Sequence, residues 1–293
     1  LKPFDSIDRL VEGCRRVFRR MDPALAAHFD RMADSGLLDL DSRVGKAPGG
    51  YQSSLDEVRM PFIFMNAVGL NRDVTTLLHE SGHAFHSVLA RQEPLFAYRH
   101  APMEFCEVAS MSMELLSGPF LDEFYGPGDL ARANRERLDE VLSILPWVAT
   151  IDAFQHWIYT HPGHSAQERG DQWLSLTDRF GAGPILDESD FEEARRFGWH
   201  RQLHLFQVPF YYMEYGIAQL GALQVWMRAR KDREAALADY RKALSLGGSR
   251  PLPELFQEAG IRFDFGPDIL RPLIDEVLSE RKRLTRAEVG MRG

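Results

Sequence analysis

Between Asp73 and Leu89 a largely apolar stretch carries His79, Glu80 and His83, and this trio constrains the chain more than any other feature. Val74, Leu77, Leu78, Ala84, Phe85, Val88 and Leu89 recur at helical spacing, and Asp73 is placed to cap the N-terminus. Residues four apart on a helix lie about 40° from each other, so His79 and His83 aim their imidazoles at one point. Burying such a trio is costly unless something binds it. The run His79-Glu80-Ser81-Gly82-His83 is an HExxH pattern: two imidazoles for one Zn²⁺ per chain, with Glu80 beside the metal to activate the zinc-bound water.

Two imidazoles leave a zinc site incomplete, and a carboxylate is the natural third ligand. Glu104, Glu107 and Glu114 lie on the next predicted helix, Met103 to Leu116, and spacing alone does not choose among them. His86, seven residues after His79, shares its face of the helix. Three ligands on two turns would give poor tetrahedral geometry, so His86 is read as supporting a ligand or packing in the core. Leu89 stands where the longer HExxHxxGxxH pattern needs a third histidine, which excludes that arrangement.

Helical periodicity dominates elsewhere, from Ile7 to Met21 and Pro23 to Met32 near the start to Ile269 to Leu284 at the end. Asp39 to Tyr51 is rich in glycine and charge and reads as a loop or hairpin. Its Gly45-Lys46 pair is no phosphate loop, since Leu40 and Ala47 stand where glycine and Ser or Thr are required. Pro61 to Asn66 is a short apolar run of β-like composition just before the metal helix. Its exposed edge would bind an extended peptide by main-chain pairing, with Asn66 and Ala67 as the contact residues. The fold class is therefore mainly α, with a small β element before the HExxH helix.

With 293 residues the chain buries a large core, and its net charge of −8 argues against a nucleic-acid partner. Two cysteines, Cys14 and Cys106, make a disulfide framework improbable and point to a cytoplasmic setting. No apolar stretch reaches the length that spans a bilayer, so no membrane partner is expected.

The run His79 to His86, with Pro102-Met103-Glu104-Phe105-Cys106-Glu107-Val108-Ala109-Ser110 after it, resembles the thimet oligopeptidase family of zinc metallopeptidases, and its oligoendopeptidase F branch in particular. Ile151 to His156, Val208 to Gly216 and Gly45 to Tyr51 resemble the same branch. The resemblance implies a zincin-like helical catalytic domain in which Glu107 is the third ligand and Glu104 a carboxylate that orients a histidine. It also implies that His204, Tyr212 and Tyr215 stabilise the oxyanion formed when water attacks a peptide carbonyl. Members of the family are about twice as long, so residues 1–293 are read as the catalytic, C-terminal half of a longer enzyme, whose N-terminal half is a missing partner. The expected activity is cleavage of internal bonds in short oligopeptides. A zinc carboxypeptidase on a similar scaffold and a non-catalytic peptide-binding module are the alternatives.

Overall fold

The computed structural model describes residues 1–181 and 189–290. Its helices are α1 (Ile7–Met21), α2 (Pro23–Asp34), α3 (Asn71–Ala90), α4 (Met103–Ser117), α5 (Pro127–Thr160), α6 (Ala166–Phe180), α7 (Glu192–Arg196), α8 (His204–Gln207), α9 (Tyr212–Lys231), α10 (Arg233–Ser245), α11 (Leu252–Glu258) and α12 (Pro267–Gly290). Three strands, β1 (Leu38–Asp41), β2 (Tyr51–Leu55) and β3 (Met60–Ala67), form one sheet in the order β1-β3-β2. The mainly helical class and the small β element before the metal helix are both found.

The chain divides into two compact units, Leu1–Leu138 with Ala218–Gly293, and Asp139–Ile217. In the first, α3 is central and packs against α4, α10, β2 and β3. Its apolar face meets α1 and α2 through Phe85, which lies edge-on to Phe18 at 5.0 Å, while Phe18 packs on Phe29 at 4.9 Å. In the second unit Ile151, Phe154, Trp173, Leu176 and Trp199 make a separate core.

Two local expectations change. Asp73 is not the cap of α3, which begins at Asn71. Instead Asp73 Oδ2 accepts from the Val68, Gly69 and Leu70 amides at 2.7, 2.9 and 2.9 Å, fixing the turn that enters the helix. The strand before the helix is not an open edge either. β3 runs parallel to β1 on one side and antiparallel to β2 on the other, so the edge next to α3 belongs to β2. Asn66 and Ala67 consequently lose their expected role as peptide contacts. The Asn66 amide donates to the Ala47 and Gly49 carbonyls at 2.9 and 3.0 Å, and Ala67 is buried opposite Asp41.

Lys46 holds this sheet together. Its side chain is 1% exposed, and Nζ donates to the main-chain oxygens of Asp39, Asp41 and Met65 at 3.0, 2.7 and 2.5 Å. An Asp39 carboxylate oxygen at 3.1 Å balances the charge. The ammonium thus binds β1, β3 and the loop into β2 as a cation held by carbonyls.

Candidate metal centre

Helices α3 and α4 cross with little space between them, and Gly82 is the reason. A Cβ at that position would lie 2.6 Å from both the Ala109 carbonyl oxygen and Ser110 Cα, too close for any side chain. The Tyr240 hydroxyl donates to the same Ala109 carbonyl at 2.8 Å and fixes the crossing from behind. One free position of the HExxH pattern is therefore dictated by packing.

The crossing delivers Glu107 to the histidines. Its Oε2 lies 3.5 Å from His79 Nε2 and 3.7 Å from His83 Nε2, and one ligand atom from each of the three residues falls within 4.8 Å of the others. Ligands about 2.0 Å from a tetrahedral ion stand roughly 3.3 Å apart, so the observed spacing fits a zinc-sized ion with little adjustment. The donor set, two imidazoles and one carboxylate, suits zinc as well. Among the described residues this is the one such group of three. Ser110 Oγ donates to Glu107 Oε2 at 2.9 Å and restrains the carboxylate.

Each imidazole is also held on its other side. His79 Nδ1 meets Glu114 Oε1 at 2.6 Å, and Arg137 Nη1 donates to Glu114 Oε2 at 2.6 Å. Arg137 Nη2 continues to Thr75 Oγ1 at 2.6 Å, one turn before His79 on α3, which closes the loop of contacts. His83 hydrogen-bonds to the Cys106 main chain. The carboxylate that orients a histidine is thus Glu114, one face-repeat beyond Glu107 on α4, and not Glu104. Glu104 is half-buried on the turn before Glu107.

Glu80 is 7% exposed and accepts a hydrogen bond from the Gln52 main chain, which ties the edge strand β2 to the site. Burial raises its pKa above the ordinary carboxylate range, against the opposing pull of His79. Burial likewise raises Glu107, opposed by His79 and Ser110. Around His79 burial disfavours the charge, but the Glu114 hydrogen bond and the carboxylates prevail and push its pKa up to about 9. Burial, assisted by the His79 charge, takes His83 down to about 3. The pair is therefore electrostatically unlike before any ion arrives.

His86 is outside the ligand set and packs in the core, its ring edge-on to Phe105 at 5.9 Å. Burial takes its pKa down to about 4.

The expected oxyanion residues lie in the second unit. His204 stands 5.0 Å from Tyr212 and 6.1 Å from Tyr215, ring centre to ring centre, so that unit does gather them. Tyr211 stacks on His204 at 5.6 Å and meets Tyr215 at 5.3 Å. The Tyr212 hydroxyl donates to Gln202 Oε1 at 2.9 Å and accepts from Trp147 Nε1 at 3.4 Å, which gives it a structural share in that unit's core.

Residues 24–273 match the sequence profile of peptidase family M3. An oligoendopeptidase F homolog of Borreliella burgdorferi is 24% identical over 259 residues, covering 83% of this chain and 42% of its own. The oligopeptidase PepF of Bacillus subtilis is 24% identical over 242 residues, covering 76% of this chain and 33% of its own. The structure of PZ peptidase A with an inhibitor superposes with a TM-score of 0.86 at 30% identity, over 97% of this chain and 50% of that one. The chain thus spans half the length of these relatives or less, and it belongs to peptidase family M3.

Proposed function

We propose that the chain is the catalytic part of a zinc-dependent endopeptidase that cuts internal bonds of short oligopeptides. The observation that carries this reading is the convergence of His79, His83 and Glu107 with the buried Glu80 beside them. A zinc ion in that set would supply Lewis acidity and lower the pKa of water bound to it.

The chain's own residues do the rest. Glu107, restrained by Ser110, and His79, restrained by Glu114, hold their ligand atoms in place before binding. Glu80, with a raised carboxyl pKa and its orientation fixed by Gln52, takes a proton from the attacking water and passes it to the departing amine. An extended peptide pairs with β2, the edge strand that Glu80 touches, and main-chain pairing there tolerates varied side chains. His204, Tyr212 and Tyr215 are the oxyanion donors in this reading, as the resemblance to the family implies.

The lengths of the relatives support a longer working protein in which an N-terminal half completes the peptide channel. Among the described residues no helix is long and apolar enough to cross a membrane. The two free cysteines support a cytoplasmic site of action.

The deciding experiment is a quenched oligopeptide blocked at both termini. The zinc-loaded chain is expected to cut it at an internal bond, and Glu80→Gln is expected to keep the zinc and lose at least a thousandfold in turnover, at the upper part of the range for a removed acid–base group. Cleavage only of peptides with a free C-terminus would replace this reading with the carboxypeptidase. Full turnover by the zinc-loaded variant would remove Glu80 from the mechanism.

A further inference from the structure

A polar cavity of about 270 Å³ opens beside His83, between β2 and the start of α4. Gln52 and Ser54 from β2, Ser87 and His86 from α3, and Arg99 and His100 from the connection to α4 line it. Its polar wall is built. Ser54 Oγ donates to Ser87 Oγ at 3.2 Å, and Ser87 bonds the His83 carbonyl at 3.1 Å and Gln52 Oε1 at 3.4 Å. His86 is 4% exposed, and its Nε2 is buried with no hydrogen-bond partner. A buried ring nitrogen without a partner is costly, and a ligand in this cavity would satisfy it.

The charge around the cavity has one dominant sign. Ser54, Ser87, Arg99 and His100 also line a small adjoining space, together with Arg59, Arg91 and a single acid, Asp56. Three guanidinium groups against one carboxylate make this corner cationic in a chain whose net charge is −8. Arg99 is oriented by carbonyls: Nε donates to Glu93 O at 2.8 Å and Nη2 to Pro94 O at 3.2 Å. Among the described residues no carboxylate pairs with either of those two nitrogens. Gln52 belongs both to this wall and, through its main chain, to Glu80. A peptide lying along β2 would therefore send a side chain or its terminus into this space.

We infer that the cavity beside His83 is a substrate subsite that accepts a carboxylate, read by Arg99 and His100 at its cationic rim with His86 at its floor. The inference rests on the peptidase reading and adds to it a preference for peptides with an acidic group near the scissile bond. That group is either an acidic side chain or the peptide's own C-terminus.

The test uses peptides that differ only in carrying Glu, Gln or Lys at each of the positions flanking the scissile bond, each made with a free and with an amidated C-terminus. Cleavage is measured with the zinc-loaded chain, and binding by fluorescence anisotropy with zinc-loaded Glu80→Gln. At one position Glu is expected to exceed Gln by about tenfold in both readouts, the size of one charge-assisted hydrogen bond, with Lys poorer still. Arg99→Met should bring the Glu to Gln ratio close to one, and Arg99→Lys should retain most of it. If Arg99→Met fails to fold, His100→Gln takes its place, with the same expected loss of the Glu to Gln ratio and an unchanged ratio again overturning the subsite. Selectivity kept by amidated peptides assigns the carboxylate to a side chain; selectivity confined to free termini assigns it to the terminus. Equal handling of Glu and Gln at every position overturns the subsite, as does an unchanged ratio in a folded Arg99→Met. Selective binding without cleavage keeps the subsite and overturns the peptidase reading. Cleavage without selectivity does the reverse, and neither binding nor cleavage overturns both.

Discussion

Glu114 is bonded to His79 on one side and to Arg137 on the other, so a change at either end should reach the metal without touching it. Glu114→Gln is expected to weaken zinc binding 10- to 100-fold, the usual effect of removing a carboxylate behind a ligating histidine. Competition with a chromophoric chelator measures this directly; an unchanged affinity would mean that Glu114 only fills space. Gly82 permits a second prediction. A methyl group there meets main-chain atoms of α4 at 2.6 Å, and main chain cannot move aside as a flexible side chain can. Gly82→Ala should cost about 1–3 kcal/mol of stability by overpacking and loosen zinc binding as α4 is pushed away. Denaturant unfolding of the metal-free chain separates the two effects. Cys14 is fully buried, and burial pushes its thiol pKa far above the ordinary value. It should stay unreactive to thiol reagents at pH 8 until the chain is unfolded.

Among the elements, legibility followed the strength of the local signal. The metal helix could be read because its apolar period, its ionisable trio and its length agree. β1 and β2 could not, because four residues of Leu-Asp-Leu-Asp and five of Tyr-Gln-Ser-Ser-Leu carry little strand propensity of their own. They are strands because β3 offers pairing on both sides, and Lys46 collects carbonyls of β1 and β3, which are tertiary facts. The same limit explains Glu104 and Glu114. Spacing placed Glu107 and Glu114 on one face, but which carboxylate meets Nδ1 of His79 depends on the α3–α4 crossing. Lys46→Met keeps much of the volume and removes the donor from three carbonyls, so it should cost about 2–4 kcal/mol, seen as a lower denaturant midpoint. A wild-type midpoint would show that water replaces the ammonium without loss.

At the scale of the whole molecule, the first unit has a core of its own. Phe18, Phe29, Phe85, Phe105 and Phe256 are fully buried in it, whereas the candidate ligands His79 and His83 are only half-buried. Chelation should therefore abolish peptide cleavage while lowering the melting temperature by only a few degrees, as loss of one bound ligand does. Added zinc should restore both. Collapse of the far-ultraviolet circular dichroism on chelation would instead make the ion a structural requirement. Family membership and a mainly helical fold were readable from motifs distributed along the sequence. The division into two units was not, since no linker or change of composition marks Asp139 or Ile217.

The Tyr240 clamp on the Ala109 carbonyl joins residues 131 positions apart. By the end of α4 the chain already holds the three candidate ligands and the proposed general base. Tyr240, which adds a hydrogen bond to the α4 main chain at that crossing, lies far downstream in α10. The crossing that gathers the candidate ligands is thus fastened from outside its own stretch of sequence, and a chain cut before α10 is expected to bind zinc more weakly than the intact one, as chelator competition would read.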